Sequence, residues 1–458
     1  MDIKRRDFLK IIAGLGATSL VPVLTTGSCG DPKSLEEKFT AGDKNVWSKV
    51  RSLFTFTHQA PLNAANLCPA FDRVIAKQEQ YARRLSSDVG FPNRRDFVLE
   101  EVENARKKVC EMLNAGSSKQ LAFVRNTSEA NTTIIQGLQL KPDDEVVLWD
   151  ENHPTNYHSW HYQRQVRPFI IKSLGLDLNA GSTGYYVDSF IKLLTPKTRV
   201  VSFSHISNIS GHRLPAEKIC AAVKKFNPDI FVLVDGAQAW GSVYIDLKAM
   251  GCDGYTSSGH KWLCGPRGTG ILYVREKWIP RVMPNTLGYN FTFDYPEENF
   301  AKDATRFECL GQRDDAAYGA LGISADLHRE IGIRKIEKRI SELTAYGLNA
   351  FDRAGIPTIT PKDQNFGHGV LTADMGSTVR TYGAFLALHN AGISSAFIHN
   401  NRVHCTPESI RKIDKLPVYL RICPHIYNST GDIDQAVSIA KRIKTSALEI
   451  GKEVVRFI

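Results

Sequence analysis

Short apolar runs alternate with amphipathic segments through the middle of the chain. Runs of strand length, rich in β-branched residues, occupy residues 145–150, 168–174, 199–206, 229–237 and 270–274. Between several of these runs, apolar residues recur every three or four positions, which is typical of a helix with one buried face. The alternation predicts an α/β fold in which a mostly parallel sheet is covered by helices on both faces.

The pattern changes near residue 333. Long amphipathic helices are predicted over 333–355 and 432–457, with short strands between them. We interpret this part as a smaller C-terminal α+β domain. The predicted division of the chain is a signal segment at 1–30, an N-terminal segment at 31–75 packing on the small domain, a large domain at 76–332 and the small domain at 333–458.

Composition fits a soluble enzyme of about two domains. The chain has 458 residues, of which 42% are hydrophobic and 23% charged. The formal net charge is +10, but the basic residues are scattered and form no stripe, so no nucleic-acid partner is predicted. Nine cysteines without a C-x-x-C pair indicate neither a disulfide framework nor a zinc site.

The first thirty residues differ from the rest. Arg5 and Arg6 precede an apolar stretch, 11–24, that is too short to span a bilayer. This arrangement resembles a twin-arginine export signal and predicts an exported or periplasmic protein. The alternative is the basic start of a helix in a cytoplasmic protein. Cys29, in the sequence TTGSC, is a candidate lipidation site through which the protein would be anchored to a membrane.

Two residues after the apolar runs suggest one kind of chemistry. Open parallel sheets bind ligands beyond the carboxyl ends of their strands. Asp235 follows such a run and Lys261 follows another strand-like segment. Alone, the aspartate resembles a helix cap and the lysine a surface residue. Together they indicate pyridoxal phosphate, with Lys261 forming a Schiff base and Asp235 pairing with the protonated ring nitrogen.

A phosphate site is predicted from a second stretch. Thr127 and Ser128 supply hydroxyl groups at the start of a predicted helix, where backbone N–H groups and the helix dipole favour an anion. A helix cap with Glu129 in the first turn is the alternative interpretation. Ser258 and His260, just before Lys261, are further candidate phosphate ligands. The chain lacks the glycine patterns of triphosphate and dinucleotide sites here.

From residue 46 to the C-terminus the chain resembles the class V aminotransferases of pyridoxal phosphate fold type I. That family includes cysteine desulfurases, selenocysteine lyases and isopenicillin N epimerases. The resemblance implies a large domain with a seven-stranded sheet, a smaller C-terminal domain and a homodimer with shared active sites. It rests on the motifs RNTSEA, SHISNISG, VDGAQAWG, SSGHKWLCGPRGTG, RFECLGQRD and LRICPHIYNSTGDID.

The resemblance also implies roles for further residues. Asn208 and Gln238 correspond to the donors that bond the ring hydroxyl of the cofactor. His153 corresponds to the side chain stacked on the cofactor face, with Asn156 as the alternative. Arg421 corresponds to the arginine that grips the substrate α-carboxylate, a pairing that a lysine makes less well.

A further implied contact crosses between subunits. The segment with Gln312 corresponds to one that reaches the phosphate site of the partner subunit. This sequence has glutamine where the family usually has threonine.

The expected reaction begins with an amino-acid substrate bound as an external aldimine, from which the α-proton is removed. The motif around Arg421 is most similar to isopenicillin N epimerases. Alternatives are a cysteine desulfurase or other C–S lyase, for which Cys405 beside His404 is the candidate nucleophile, and an exported protein that has kept the fold without catalysis.

Overall fold

The computed structural model describes residues 45–57, 60–286, 288, 302–399 and 417–446. The predicted signal segment, with Arg5, Arg6 and Cys29, lies outside the described residues, as does Cys405.

The described part of the chain contains twelve strands in three sheets. They are β1 (Ala60–Pro61), β2 (Leu121–Val124), β3 (Glu145–Trp149), β4 (Ile170–Leu174), β5 (Thr198–Ser204), β6 (Phe231–Asp235), β7 (Gly254–Ser258), β8 (Gly270–Val274), β9 (Leu371–Ala373), β10 (Ile393–Ser394), β11 (Ala396–His399) and β12 (Val418–Ile422).

Seven strands form the central sheet, in the spatial order β2-β8-β7-β6-β5-β3-β4. Only β8 runs against its neighbours, β7 and β2, while the other adjacent pairs are parallel. Strands β3, β6 and β8 are buried along their whole length. This burial explains their uninterrupted apolar sequences. The predicted α/β fold with a mostly parallel sheet is confirmed.

Thirteen α-helices are described. They are α1 (Val46–Arg51), α2 (Asp72–Ser87), α3 (Phe91–Phe97), α4 (Glu103–Met112), α5 (Thr127–Gly137), α6 (Pro154–Val166), α7 (Thr183–Ile191), α8 (Ala216–Phe226), α9 (Leu247–Met250), α10 (Asp315–Ile331), α11 (Ile333–Arg353), α12 (Thr378–Asn390) and α13 (Thr430–Thr445). A π-helix, Val98–Val102, joins α3 to α4, and short 3₁₀ segments occupy Ser118–Gln120, Glu276–Arg281 and Ala304–Glu308.

Alternate residues of the central strands enter separate hydrophobic clusters on the two faces of the sheet. In β3, Val147 and Trp149 belong to one cluster, whereas Val146 and Leu148 belong to the other. The period of two follows from the pleat of the strand. Both faces are therefore covered by apolar side chains.

A third hydrophobic cluster lies in the C-terminal part of the chain. It joins residues of α11, α12 and α13 to the three-stranded sheet β11-β12-β9. Ala60 and Leu62, from the start of the chain, also belong to it, and β1 pairs in parallel with β10. The predicted domain boundaries at 30, 75 and 332 stay predictions. Among the described helices, none has the length and apolar character needed to cross a membrane.

Candidate active site

The carboxyl ends of β6 and β7 border a cavity of about 200 Å³. Its walls contain most of the residues that the sequence predicts for cofactor binding. The lining residues are Asn126, Thr127, Ser128, His153, Thr155, Asp235, Ala237, Ser258, His260 and Lys261. The cavity lies where an open parallel sheet binds its ligands.

Lys261 follows β7 after only two intervening residues. Burial lowers the pKa of Lys261 to about 8, because the ammonium form is poorly solvated. The charge of Arg421 acts in the same direction, whereas the carboxylate of Asp235 opposes it. Lys261 therefore loses its proton more easily than an ordinary lysine, and the uncharged form is a nucleophilic amine.

Asp235 is the last residue of β6 and is buried. One carboxylate oxygen accepts the backbone N–H of Ala237 at 3.0 Å. The other accepts a hydrogen bond from Asn131 Nδ2 at 2.9 Å. Burial raises the pKa of Asp235, while these two bonds and the charge of Lys261 partly offset the rise. A cationic ligand atom beside this carboxylate would be strongly favoured, because its charge compensates for the hydration that burial removes from the carboxylate.

Asn131 and Thr256 were missed by the sequence analysis. Asn131 lies on α5, one helical turn after Thr127, and its Oδ1 accepts a hydrogen bond from Thr256 Oγ1 at 2.8 Å. With both ends of its amide bonded, Asn131 holds Asp235 in one orientation. The available signal was the spacing of four between Thr127 and Asn131, which places both side chains on one face of a helix.

The predicted phosphate ligands converge at the start of α5. Asn126 caps the helix by accepting the backbone N–H of Glu129 at 3.0 Å. The backbone N–H of Thr127 donates to Ser258 Oγ at 2.8 Å. The hydroxyl oxygens Thr127 Oγ1 and Ser258 Oγ lie 2.6 Å apart. The helix N-terminus and these hydroxyls form a site suited to an anion.

Ser128 and His260 complete the predicted anion site, since both line the same cavity. Burial lowers the pKa of His260 to about 4, with further lowering by the charges of Lys261 and Arg267. His260 is therefore neutral at physiological pH and offers one N–H donor rather than a charge.

His153 lies in the wall of the cavity, and Asn156 does not. His153 caps α6, because its Nδ1 accepts the backbone N–H of Thr155 at 3.2 Å. Burial lowers the pKa of His153 to about 3, and the charges of Lys261 and Arg421 lower it further. A neutral imidazole suits stacking on an aromatic ring.

Asn156 is fully buried behind the cavity wall. Its Oδ1 accepts hydrogen bonds from Ser202 Oγ at 3.1 Å and from Asn152 Nδ2 at 3.2 Å. Of the two predicted candidates for stacking, the structure therefore brings only His153 to the cavity.

Arg421 and Asn208 lie together and are both buried. Arg421 is on β12, and its Nη1 donates to the backbone oxygen of Asn208 at 2.9 Å. Within the described residues, Arg421 Nε and Asn208 Oδ1 are buried without a hydrogen-bond partner. Neither residue is in the wall of the cavity that contains Lys261, and the two unpaired atoms are available to a ligand.

Gln238 and Gln312 lie outside the cavity wall. Gln238 Nε2 donates to the backbone oxygen of Ala65 at 3.0 Å, and its Oε1 accepts the indole N–H of Trp262 at 2.7 Å. One hydrogen of this Nε2 remains for the predicted bond to a cofactor. Gln312 is exposed in the loop before α10, and its predicted contact with a partner subunit stays a prediction.

The arrangement suits a ligand with three chemical features. The start of α5 would receive an anionic group, and Asp235 a protonated ring nitrogen. Lys261 supplies an amine that reacts with a carbonyl carbon. These features belong to pyridoxal phosphate, so the residues present fit the cofactor that the sequence predicts.

Comparisons with known proteins agree with this interpretation. The family model described as aminotransferase class V matches residues 63–436. A cysteine desulfurase of Enterobacter sp. (strain 638) is 29% identical over 76% of this chain and 83% of its own length. An isopenicillin N epimerase of Amycolatopsis lactamdurans is 26% identical over 82% of this chain and 92% of its own.

A solved structure shows the same fold. The apo structure of a cysteine desulfurase from Thermococcus onnurineus NA1 superposes with a TM-score of 0.75 at 18% identity, covering 87% of this chain and 98% of the other. At this identity the likeness concerns the fold alone.

Proposed function

We propose a reaction for this chain, which belongs to the class V aminotransferase family and is a pyridoxal phosphate enzyme. The chain removes the α-proton of a small-molecule amino-acid substrate, and its reaction is most like that of isopenicillin N epimerase. One observation carries the proposal. Lys261 and Asp235 line a single cavity, and the charge of Arg421 acts on both Lys261 and His153. Lys261, the proposed nucleophilic amine, is thus within electrostatic range of both Asp235 and Arg421.

The cofactor would be held at two ends. Thr127, Ser128, Ser258 and His260 would bind its phosphate, and Asp235 its ring nitrogen. Bound there, pyridoxal phosphate supplies an electron-withdrawing ring that stabilises the charge left when a bond to the substrate α-carbon breaks. Asp235 would pair with the ring nitrogen and keep it protonated.

We assign Arg421 to binding of the substrate α-carboxylate. Its guanidinium is fixed by the bond from Nη1 to Asn208, while Nε has no partner within the described residues. A planar fork held in this way suits a two-pronged pair with a carboxylate. A carboxylate held by Arg421 is kept from leaving, so the α-proton is the group removed.

Lys261 is the proposed proton acceptor. Its pKa of about 8 lies close to neutral pH, so the amine can both take up and release a proton. His153, with a pKa of about 3, is neutral and a poor proton donor. We therefore assign His153 to orientation of the cofactor rather than to proton transfer.

A cysteine desulfurase is the second candidate. The relative from Enterobacter supports it by its name. That reaction needs a thiol to accept the substrate sulfur, and Cys405 is the candidate. The chemistry of the described cavity serves both reactions, because each starts with loss of the α-proton.

Absorbance and product analysis test the proposal together. Wild type, Lys261→Ala and the exposed control Lys248→Ala are titrated with pyridoxal phosphate and then with a panel of amino acids that includes cysteine. Wild type and the control are expected to show the visible absorbance of bound cofactor, which Lys261→Ala alters.

The products then separate the two candidates. Formation of the isomer inverted at the α-carbon, with unchanged mass, supports epimerisation, and sulfide with alanine supports desulfuration. Wild type that gains no cofactor absorbance, or that leaves every amino acid unchanged, contradicts the proposal.

A further inference from the structure

Three buried side chains meet next to the loop that carries Lys261. The Sγ atoms of Cys68 and Cys264 and a ring nitrogen of His425 all lie within 4.8 Å of one another. Cys68 is 5% exposed, and the other two are fully buried. The seven cysteines in the described part of the chain are all free thiols. The proposed function uses none of these three side chains.

Backbone hydrogen bonds hold the two cysteine loops side by side. The backbone N–H of Cys68 donates to the backbone oxygen of His260 at 3.0 Å. The backbone N–H of Phe71 donates to the backbone oxygen of Cys264 at 3.2 Å. The thiol of Cys264 is itself hydrogen-bonded to Cys68, and its pKa is raised well above the usual value, chiefly by burial. The thiols therefore face each other across two segments that are already paired.

A metal ion is the first alternative for such a cluster, but the protonation of His425 opposes it. His425 Nδ1 accepts the backbone N–H of Ile426 at 2.6 Å, so this nitrogen carries no proton. The proton is therefore on Nε2, which lies 2.8 Å from the backbone oxygen of Trp262 and donates to it. A metal bound at Nε2 would displace this proton and leave the ring without one on either nitrogen.

We propose that Cys68 and Cys264 are a redox-active pair that forms a reversible disulfide. The disulfide would join the loop before α2, which carries Cys68, to the loop after β7, which carries Lys261 and Cys264. The cluster holds two free thiols and a neutral histidine, and oxidation joins the thiols. Reduction by a small thiol restores both through thiol–disulfide exchange.

A peroxide is the oxidant class that we assign. The Cys68 thiolate attacks one oxygen of hydrogen peroxide, giving a sulfenic acid and, after proton transfer, water. The sulfur of Cys264 then attacks the sulfur of Cys68, forming the S–S bond and releasing a second water. In sum, two thiols and one peroxide give one disulfide and two waters, with sulfur oxidised and oxygen reduced.

Cys68 is the first thiol to react in this scheme. It is the member of the pair with measurable exposure. Cys423 provides a control, because it is buried, is close enough to affect Lys261, and is not in the cluster.

The test uses the purified holoenzyme in four forms: wild type, Cys68→Ser, Cys264→Ser and Cys423→Ser. Each is treated with hydrogen peroxide, its remaining thiols are blocked, and its peptides are mapped by mass. A peptide linking Cys68 to Cys264 is expected in wild type and Cys423→Ser, and not in the other two. The Tm of wild type should rise by several degrees on oxidation and fall again with a reductant.

Three results overturn the proposal: a peptide linking Cys68 to Cys423, oxidation of either thiol without a link, or stoichiometric zinc that copurifies and protects both thiols. The peptide map of wild type decides the matter even if a variant fails to fold. Because every readout is independent of turnover, failure here is distinct from failure of the proposed enzymatic function.

Discussion

Asn131 donates a hydrogen bond of 2.9 Å to the buried carboxylate of Asp235, and this bond fixes the group that would face the cofactor nitrogen. Thr256 in turn fixes the amide of Asn131. Besides the backbone N–H of Ala237, the orientation of Asp235 thus depends on two residues that do not line the cavity wall.

Replacing Asn131 with leucine keeps the branched shape of the side chain and removes both hydrogen bonds. A hydrogen bond to a charged group is worth about 1.5–3 kcal/mol, so we expect pyridoxal phosphate to bind about 10- to 100-fold more weakly. Absorbance titration measures this affinity, and a pH titration of the bound cofactor reports the protonation of its ring. Thr256→Val should cause a smaller change in the same direction. Unchanged affinity in Asn131→Leu would contradict the assigned role.

The rate of cofactor association should depend on the protonation of Lys261. Only the neutral amine attacks a carbonyl, so the rate should rise with pH through a midpoint of about 8. Arg421→Met removes a charge that lowers this pKa, and should move the midpoint to higher pH. Asp235→Asn removes a charge that raises it, and should move the midpoint to lower pH. Stopped-flow absorbance measures both, and shifts in the same direction would contradict the assigned electrostatics.

Arg421→Lys should weaken substrate binding while leaving the cofactor bound. A lysine cannot form the two-pronged pair, and losing about 1.5–3 kcal/mol raises KM by roughly 10- to 100-fold. The exposed residue Arg442 on α13 offers a matched control as Arg442→Lys. Steady-state kinetics with whichever amino acid is turned over gives KM, and the absorbance of bound cofactor should equal that of wild type. An unchanged KM would remove Arg421 from the substrate site.

Export should depend on the paired arginines near the start of the chain. Changing Arg5 and Arg6 together to lysine preserves the charge and is expected to leave the protein in the cytoplasm, as the twin-arginine route would require. Cell fractionation with antibody detection measures the distribution. Cys29→Ala serves as the comparison, since it should affect membrane attachment alone. Equal export of the lysine variant and wild type would contradict the signal assignment.

The central sheet could be predicted because its strands are buried on both faces. Strands such as β3 and β6 therefore have continuous apolar sequences that differ from those of surface helices. The direction of each strand was harder to predict from the sequence. The antiparallel placement of β8 depends on the connection 259–269, which carries Lys261, and β2 is a run of only four residues.

The candidate site was predictable where function requires an uncommon residue at a strand end. Asp235 and Lys261 meet this condition. Asn131 does not, because an asparagine inside a helix has no distinctive sequence context, and its role follows only from contact with β6 and β7. The cysteine cluster could not be predicted from the sequence either, since Cys68, Cys264 and His425 are far apart in sequence and meet only in the folded chain.

Arg421 belongs to the three-stranded sheet, whereas Lys261 follows a strand of the seven-stranded sheet. The separation between the carboxylate receptor and the amine is therefore set by the relative orientation of two sheets, and not by a single loop. A rigid-body rotation of one sheet against the other would change the substrate length that fits between them. Substitutions at the contact between these sheets, distant from any ligand, would then alter which amino acids are accepted.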